Sequence, residues 1–598
     1  MKTLNDKHHR FASLFTNEII QPYAYLLSKN LEDGNICIEL SSLKDNLNID
    51  FPFIDFEPDL VKLIDQTELV TIDPVQKKPF VISNDKLYLQ RFYFYEDEIY
   101  RKIIRLIETE SKDKIQRQIE LYKHKNFVEE LFQSNEDTSQ LNEEEKTDWQ
   151  RIAALTTVLS NFSIITGGPG TGKTTTVAKI LSILFELNSN EKVALAAQTG
   201  KAAMRMAESI RNADIQVKDE TKMKLKSLEP FTIHRLLKTK LHSPYFKHNE
   251  SNPVQYDTVI VDESSMIDVA LFYKLLSAIG DKTRLILLGD RNQLASVEAG
   301  SIFGDLCQTG FKINSCHPET AEFVNKFISE TEKKIKDDFI DGSIRHPLVH
   351  HITELKRSRR FDSNKGIGKL SKSILNQTKD DLKNYLNKED AQIEIDLAYS
   401  DAVFEETIEM YEAYIKETNI AIALKKLNEL RVLCAVRESE QGIYFINSRI
   451  EKLLQNKKLL TIQNDFYHNR PIIVTSNNKE LGLFNGDIGI IRIENNQAYA
   501  WFEDGNASVR KFLPALIGNF ETVFAMTIHK SQGSEYDNVL IILPKKEQNS
   551  LLTKELLYTA VTRAKKNVII QSALSTIENT VLASVKRASG ISERFNSK

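Results

Sequence analysis

A glycine-rich segment that ends in a lysine and a threonine carries the clearest chemistry in the chain. Its eight residues, in the pattern G-x-x-x-x-G-K-T, are Gly167, Gly168, Pro169, Gly170, Thr171, Gly172, Lys173 and Thr174. An apolar run at Ile164-Ile165 precedes it and a helical pattern over Thr174 to Leu187 follows it, which predicts a strand, a loop and a helix. Such glycines let backbone N–H groups point at phosphate oxygens, while the lysine supplies charge and the threonine hydroxyl can bind Mg²⁺. The segment therefore predicts a site for ATP and Mg²⁺.

A second segment supplies the carboxylates that nucleotide hydrolysis needs. The apolar run Val259-Ile260-Val261 leads into Asp262 and Glu263. A strand that ends in paired acids fits the metal-holding acid of a P-loop protein. We predict that Asp262 holds Mg²⁺, directly or through water, and that Glu263 polarises the attacking water as general base. Together the two segments predict hydrolysis of a nucleoside triphosphate, without indicating what the hydrolysis drives.

Four segments resemble helicase motifs in the order that superfamily 1 enzymes have them. Asp262 to Met266 and Leu288 to Leu294 resemble motifs II and III, whereas Ala525 to Glu535 and Leu557 to Ala564 resemble motifs V and VI. Over residues 145 to 575 the chain further resembles the RecD family, the alpha subunits of exodeoxyribonuclease V, at 198–203, 232–237, 358–361 with 366–368, and 483–489. The resemblance implies an ATP-dependent 5′→3′ DNA helicase that acts on double-strand ends with RecB-like and RecC-like subunits. The nuclease site would then lie in a partner.

The same resemblance assigns roles to side chains around the nucleotide. Gln150 matches a glutamine that recognises adenine, since its amide offers both a donor and an acceptor. Gln293 resembles the motif III glutamine that senses the γ-phosphate and couples it to DNA. Arg360 and Arg563 resemble arginines that reach the γ-phosphate from the second motor domain and stabilise transition-state charge. Arg359 is the alternative to Arg360, and a surface ion pair is the alternative interpretation of each arginine.

Candidates for contact with a DNA strand come from the same motifs. Small hydroxyls and backbone N–H groups at strand ends can hold phosphates without reading sequence, as a sliding motor requires. The candidates are Thr199, Lys201, Thr232, His234, Thr527, His529 and Lys530. The two histidines have a second interpretation, as core residues that cap turns.

The distribution of apolar runs predicts an α/β protein with two tandem RecA-like domains built on parallel sheets. We expect a first motor domain over residues 147–355 and a second over 356–598. The resemblance places a small β-hairpin insertion at about 238–256, and an SH3-like β insertion at about 455–525 whose turn signals are Asn485-Gly486 and Asp504-Gly505. Cys316, His317, His346, His350 and His351 fit no common zinc spacing, and we interpret Ala321 to Ile340 between them as a solvated amphipathic helix.

The N-terminal part holds no helicase motif. Residues 1–125 are predicted to form a small α+β domain that docks partner proteins, followed by a linker over 126–146 with an acidic stretch from Ser134. The run Leu87 to Tyr95 is dense in aromatic residues. A packed core or a partner surface is its more usual meaning, with a base-stacking surface as the alternative.

Composition limits the class of protein. The formal net charge of −4 gives no global basic field, so any binding of nucleic acid must use a local patch. The four cysteines form no CxxC pair and there is no long apolar run, which together predict a cytoplasmic protein that does not enter a membrane. A stand-alone RecD-like helicase is the main alternative, but its relatives carry N-terminal helix-hairpin-helix elements that we do not find before Gln150. A ring-forming remodeller of the AAA type would take its arginine finger from a neighbouring subunit, which the ordered motifs through Arg563 argue against.

Overall fold

The computed structural model describes residues 6–43, 53, 56–65, 67–73, 75–133, 141–383, 385, 390–478, 480–504, 508–545, 551–585 and 587–596. Within these ranges the strands form four sheets, two of which are parallel throughout. No helix in this part of the chain is long and apolar enough to cross a bilayer.

The N-terminal region is a small four-stranded sheet with three short helices. Its elements are α1 (Lys7–Ala12), α2 (Gln21–Glu32), β1 (Cys37–Glu39), α3 (Leu60–Asp65), β2 (Val70–Thr71), β3 (Phe80–Ser83) and β4 (Lys86–Leu89). The strand order is β1-β4-β3-β2. Tyr23, Leu27, Phe80 and Leu87 belong to a core of its own.

Three helices connect this region to the first parallel sheet: α4 (Gln90–Ser111), α5 (Lys114–Lys123) and α6 (Lys125–Leu131). The apolar face of α4, with Ile99 and Ile103, lies in the same core as Phe162 and Leu287 of the parallel sheet. Val128 of α6 is buried in the core on the opposite face. The chain from residue 90 onwards therefore packs as part of the motor, whereas the sequence suggested a separate domain to residue 125 and a linker from 126. Amphipathic helices need a partner surface, and these find it on the motor. Most of the acidic stretch, residues 134–140, lies outside the described residues.

The first motor domain surrounds a six-stranded parallel sheet. Its helices are α7 (Glu143–Lys146), α8 (Trp149–Leu159), α9 (Lys173–Leu187), α10 (Gly200–Arg211), α11 (Asp219–Ser227), α12 (Ile233–Leu237), α13 (Val269–Ala278), α14 (Ile302–Leu306) and α15 (Pro318–Asn325). Its strands are β5 (Phe162–Thr166), β6 (Val193–Ala197), β7 (Pro230–Thr232), β8 (Thr258–Asp262), β9 (Arg284–Gly289) and β10 (Ile352–Glu354), in the order β10-β5-β9-β8-β6-β7. Helices cover both faces, so the central strands are apolar on both sides, as the sequence predicted.

The second motor domain repeats this design with five parallel strands, in the order β11-β20-β19-β12-β18. Its helices are α16 (Gly366–Leu375), α17 (Lys379–Lys383), α18 (Asp401–Glu409), α19 (Glu412–Ile415), α20 (Ile420–Leu427), α21 (Ile443–Asn456), α22 (Pro514–Ile517), α23 (Lys554–Val561) and α24 (Leu574–Leu582). The following helix, α25 (Ile591–Asn596), packs in the core of the first domain. The parallel strands are β11 (Ile393–Asp396), β12 (Leu430–Cys434), β18 (Ala525–Thr527), β19 (Tyr536–Ile542) and β20 (Ala564–Gln571). The tandem parallel α/β architecture is confirmed.

An antiparallel sheet interrupts the second domain where the SH3-like insertion was predicted. Its strands are β13 (Pro471–Val474), β14 (Ile488–Glu494), β15 (Gln497–Asp504), β16 (Ser508–Phe512) and β17 (Phe520–Thr522). Asn485-Gly486 precedes β14, while the turn at Gly505 lies outside the described residues. An SH3 relationship stays a prediction. Segment 238–256, where a β-hairpin was predicted, contains two isolated antiparallel bridges, which join Thr239 to Phe246 and Asn249 to Asn252. These bridges do not extend into a longer β-ladder.

The segment after α14 differs from its predicted form. We expected one solvated helix over Ala321 to Ile340, but α15 ends at Asn325 and two short 3₁₀ turns follow. Phe327, Ile335 and Phe339 are buried in the core beside α8. The helix prediction was wrong, because these apolar residues pack against Trp149 and its neighbours instead of continuing a helical stripe.

Candidate nucleotide site and nucleic-acid groove

The glycine-rich segment links β5 to α9, as its pattern predicted. Gly170 and Gly172 have φ values of 77° and 85°, which side chains disfavour, and α9 begins directly after Gly172. A β-carbon at Gly172 would lie 2.2 Å from the Gln150 amide nitrogen. Lys173 Nζ donates to the carbonyl oxygens of Gly167 and Gly168, at 2.5 and 3.2 Å, so the ammonium lies over the loop. Backbone and charge are thus arranged to hold phosphates.

The paired acids lie at the carboxyl end of β8, across the loop from Lys173. Burial and the neighbouring Glu263 raise the pKa of Asp262 above its usual value, whereas Lys173 acts in the opposite direction. Glu263 adopts a left-handed backbone conformation with φ 51°, which is uncommon for a side chain of this type and is frequent at functional sites. Because burial disfavours the charged form of a carboxylate, this position suits a bound cation that compensates the negative charge. Asp262 and Thr174 line the same cavity and could hold Mg²⁺.

The second motor domain closes this cavity with two arginines. Arg360 and Arg563 line it together with Lys173, Glu263 and Gln293. Arg360 pairs with Glu535, and this pairing holds the pKa of Glu535 below its usual value although burial alone would raise it. Arg563 is buried and donates through Nε to the Thr559 carbonyl at 3.1 Å and through Nη1 to the Ser534 carbonyl at 3.2 Å.

Two buried polar atoms in this cavity have no hydrogen-bond partner among the described residues: Nη1 of Arg360 and Oε1 of Gln293. Buried polar atoms without a partner are costly, so they mark places where a ligand completes the bonding. The unpaired Arg360 nitrogen, a donor, therefore fits a phosphate oxygen of a bound nucleoside triphosphate, whereas the Gln293 oxygen requires a donor. Arg359 also lines the cavity, and its backbone N–H donates to Gly170 O at 2.8 Å. The choice of Arg360 over Arg359 stays a prediction, which the unpaired Arg360 nitrogen supports.

A smaller cleft adjoins the phosphate cavity beyond Thr171. Gln150, Phe132 and Leu355 line it, and the Gln150 amide donates to Thr171 O at 3.0 Å. An amide next to an aromatic ring and an aliphatic side chain can bind a planar base, which agrees with the predicted role of Gln150 in recognising adenine.

Contacts between the motor domains pass through Asp290, Leu294, Tyr558, Thr559 and Gln532, to which sequence reasoning gave no individual role. Tyr558 OH donates to Asp290 Oδ2 at 3.0 Å, and Gln293 Nε2 donates to the same oxygen at 3.2 Å. Leu294 N donates to Thr559 Oγ1 at 3.0 Å, and its carbonyl accepts from Gln532 Nε2 at 3.0 Å. Motif III therefore touches motifs V and VI directly. The motifs were recognised, but no sequence signal links positions more than 200 residues apart.

The predicted DNA contacts lie at the carboxyl ends of β6, β7 and β18. Thr199 and Thr232 cap α10 and α12, each accepting from a backbone N–H, and Thr527 Oγ1 accepts from Lys530 N at 3.2 Å. Thr199 and His234, from the first domain, share a groove with Gln532 from the second. We call this the motif groove; its other lining residues include Gln198, Phe246, Asp268, Lys274 and Ser296 to Glu298.

The remaining candidates differ in their surroundings. Burial, with Arg205 and Arg431 nearby, lowers the pKa of Lys201 to about 7. Lys530 Nζ pairs with Glu521 at 3.0 Å. His234 is exposed and packs edge-on against Phe246, which contradicts the alternative interpretation of His234 as a core residue. His529 lies in a 3₁₀ turn after β18, where burial lowers its pKa. The structure thus brings Thr199 and His234 into one groove, and does not bring all seven candidates together there.

Comparisons with known proteins place the chain in a family. Residues 150–299 match the AAA domain model and residues 522–571 match the UvrD-like helicase C-terminal domain model. The chain is 38% identical over 480 residues to the RecBCD enzyme subunit RecD of Haemophilus influenzae, covering 75% of this chain and 72% of that protein. It is 30% identical to the RecD subunit of Mycolicibacterium smegmatis over 95% of this chain and 92% of that protein. The ATP-dependent RecD2 DNA helicase of Deinococcus radiodurans is 27% identical over 67% of this chain, but over 46% of its own length. Coverage and motif order together establish that the chain belongs to the RecD family of superfamily 1 DNA helicases.

Proposed function

We propose that the chain is an ATP-dependent 5′→3′ DNA translocase and helicase, the RecD-like subunit of a RecBCD-type complex that processes double-strand breaks. One observation carries the catalytic part of this proposal. A single cavity is lined by Lys173 and Glu263 from the first motor domain and by Arg360 and Arg563 from the second. Hydrolysis in such a cavity depends on the distance between the domains, which is what a motor requires.

Each side chain has a defined task in this proposal. The backbone of residues 167–174 and Lys173 bind the phosphates of ATP, and Thr174 with Asp262 holds the cation. The chemistry that a bound Mg²⁺ supplies is neutralisation of charge on the β- and γ-phosphate oxygens. Glu263 orients and polarises water, and the arginines stabilise charge on the leaving phosphates. Gln293 senses the γ-phosphate, while the motif groove holds the strand through its backbone.

The catalytic part is tested by measuring ATP hydrolysis with and without single-stranded DNA, and unwinding of duplexes with either a 5′ or a 3′ tail. We expect stimulation by the strand and unwinding of the 5′-tailed duplex. Activity on the 3′-tailed duplex alone would overturn the polarity, which rests on the family resemblance. Absence of DNA stimulation would overturn the motor assignment.

The partner part of the proposal concerns the N-terminal region. Val61, Ile72 and Val75 are exposed, by 68%, 64% and 85%, on a region that lacks helicase motifs. Exposed apolar side chains on one small region suit a protein interface. Deleting residues 1–125 would remove α4 from the motor core, so surface substitutions test docking more cleanly than a truncation.

The triple substitution Val61→Ser, Ile72→Ser and Val75→Ser should release the RecB-like and RecC-like subunits in a pull-down and spare DNA-stimulated hydrolysis. Leu241→Ser, which alters an 87% exposed leucine in segment 238–256, is the control. Retention of the partners together with loss of DNA binding would favour the second candidate, a helicase that acts alone. The likeness to the RecD2 helicase motivates this alternative, and affinity purification of the native chain distinguishes the two.

A further inference from the structure

The last described residues of the chain form a strap that leaves the second motor domain and docks on the first. Helix α24 packs in the core of the second domain through Ile577 and Val581. Ala583 O still accepts from Lys554 N of that domain at 2.8 Å. Ile591 and Phe595 of α25, in contrast, are buried in the core of the first domain. We define residues 587–596 as the C-terminal strap.

The strap is fixed by polar contacts on both sides. Ala588 exchanges hydrogen bonds with the N-terminal region, accepting from Ile36 N at 3.1 Å and donating to Asn35 Oδ1 at 2.7 Å. Gly590 N donates to the buried Glu96 at 2.8 Å, and Arg594 pairs with Asp97 at 2.9 Å. These anchors lie on α4 and on the loop before β1, so they determine where the start of the strap is placed.

At this start, Arg587 holds the loop that follows motif III. Its Nη2 donates to the Ser296 carbonyl at 2.5 Å, and its Nη1 donates to Ser296 Oγ at 3.1 Å and to the Glu298 carbonyl at 3.2 Å. The Arg587 guanidinium also packs against Gly34. A β-carbon added to Gly34 would lie 2.8 Å from the Arg587 Cζ atom, so the glycine makes this close approach possible. Gly34 has φ +88° and its carbonyl accepts from Gly300 N, so both ends of the loop are held.

This loop connects the two functional sites. At one end Gln293 lines the nucleotide cavity, and at the other Ser296, Val297 and Glu298 line the motif groove. Val297 is 77% exposed, so the loop presents an apolar side chain to whatever occupies the groove. Arg587 also lies close enough to His529 of motif V to add to the lowering of its pKa, which burial causes in the first place. The strap therefore reaches the point where motif III meets motif V.

We propose that Arg587 is a positioning residue that holds the groove end of the motif III loop in place, so that Val297 keeps its position toward the bound strand while Gln293 responds to nucleotide. The proposal rests on the helicase function proposed above. A loop anchored in the groove passes a displacement at Gln293 on to motifs V and VI, which Leu294 contacts, whereas a loop released from Arg587 would absorb the displacement locally. Arg587 lines neither the nucleotide cavity nor the motif groove, so its effect should be on coupling and not on nucleotide binding.

The test measures ATP hydrolysis by the full chain, once with saturating single-stranded DNA and once without DNA. Arg587→Gln should lower the DNA-stimulated kcat about tenfold, a size typical of coupling between sites, and leave the KM for ATP unchanged. Arg587→Lys, which keeps one charged donor for the Ser296 carbonyl, should recover part of the loss. Arg105→Gln is the matched control, because this exposed arginine of α4 pairs with Asp281 and has no described contact with the strap or the loop.

Thermal melting of each variant separates misfolding from uncoupling. If Arg587→Gln fails to fold, Ser296→Ala, which removes one acceptor of Arg587 inside the loop, should still lower the DNA-stimulated kcat. The inference fails if Arg587→Gln hydrolyses ATP like the unaltered chain, or if Arg105→Gln shows the same loss of kcat. The proposed motor function fails separately, when the unaltered chain shows no stimulation by DNA at all.

Discussion

The two halves of the nucleotide cavity are formed in different ways. The phosphate loop is one continuous segment, and its glycine conformations, its lysine and the start of α9 are set within eight residues. The arginine half belongs to the second domain, where Arg360 and Arg563 depend on Glu535, Ser534 and Thr559, distant in the sequence from Arg360, for their positions. Local geometry therefore prepares nucleotide binding, whereas hydrolysis depends on how the second domain is placed.

The largest expected effect is at the phosphate loop. Lys173→Ala removes the ammonium that lies over the loop carbonyls, so both nucleotide affinity and hydrolysis should fall, the latter by orders of magnitude. Steady-state ATPase assays and binding of a fluorescent nucleotide measure the two effects. Near-normal DNA-stimulated turnover in this variant would contradict the assignment of residues 167–174 as the phosphate-binding loop.

A substitution in the arginine half should lower the rate of hydrolysis without a comparable loss of nucleotide affinity. Arg563→Lys keeps the charge but loses the forked donors to Ser534 and Thr559, and we expect kcat to fall by roughly 10³-fold, the scale of an arginine finger. Nucleotide affinity should change far less than in Lys173→Ala. If both parameters fall together, the contrast between a binding half and a hydrolysing half is wrong.

A smaller effect is expected at the contact that joins the halves. Tyr558→Phe deletes the hydroxyl that donates to Asp290, a hydrogen bond to a buried carboxylate, and should lower DNA-stimulated kcat by about tenfold. Tyr536→Phe is the control, because that buried hydroxyl contacts only Met526 within the second domain among the hydrogen bonds described. Equal kinetics for the two variants would show that the Asp290 contact does not couple the domains.

The smallest expected effect concerns the pH dependence of the affinity for single-stranded DNA. Burial, with Arg205 and Arg431, lowers the pKa of Lys201 to about 7, while Asp487 and Glu503 act in the opposite direction. The ammonium is charged below that pKa and neutral above it, so affinity for single-stranded DNA should weaken a few-fold as pH rises from about 6 to about 8. Fluorescence anisotropy measures this, and Lys201→Met should bind weakly with little pH dependence. An unchanged pH profile in the variant would exclude Lys201 as the titrating contact.

Features that consecutive residues form could be predicted before the fold was known. The phosphate loop, the acids after β8 and the tandem parallel sheets are of this kind, because strand, loop and helix signals are local and the motifs keep their order. The sequence did not reveal that residues 90–131 pack on the first motor domain, or that residues 321–340 form one short helix and two 3₁₀ turns. The reason is that an amphipathic segment does not specify which surface it covers. The predicted domain boundary and the single helix over 321–340 both depended on that missing information.

Only the tertiary structure showed which residues far apart in the sequence lie in one site. Tyr558 lies on Asp290, Glu535 on Arg360, and Arg587 on the loop that begins at Gln293. Each pair is separated by more than 170 residues: the Tyr558 contact joins the two motor domains, the Glu535 contact lies within the second, and the Arg587 contact joins the C-terminal strap to the first. Sequence patterns specify a residue's own element, whereas contacts between elements follow from the burial of whole surfaces, which is why the motor's coupling residues became visible only in three dimensions.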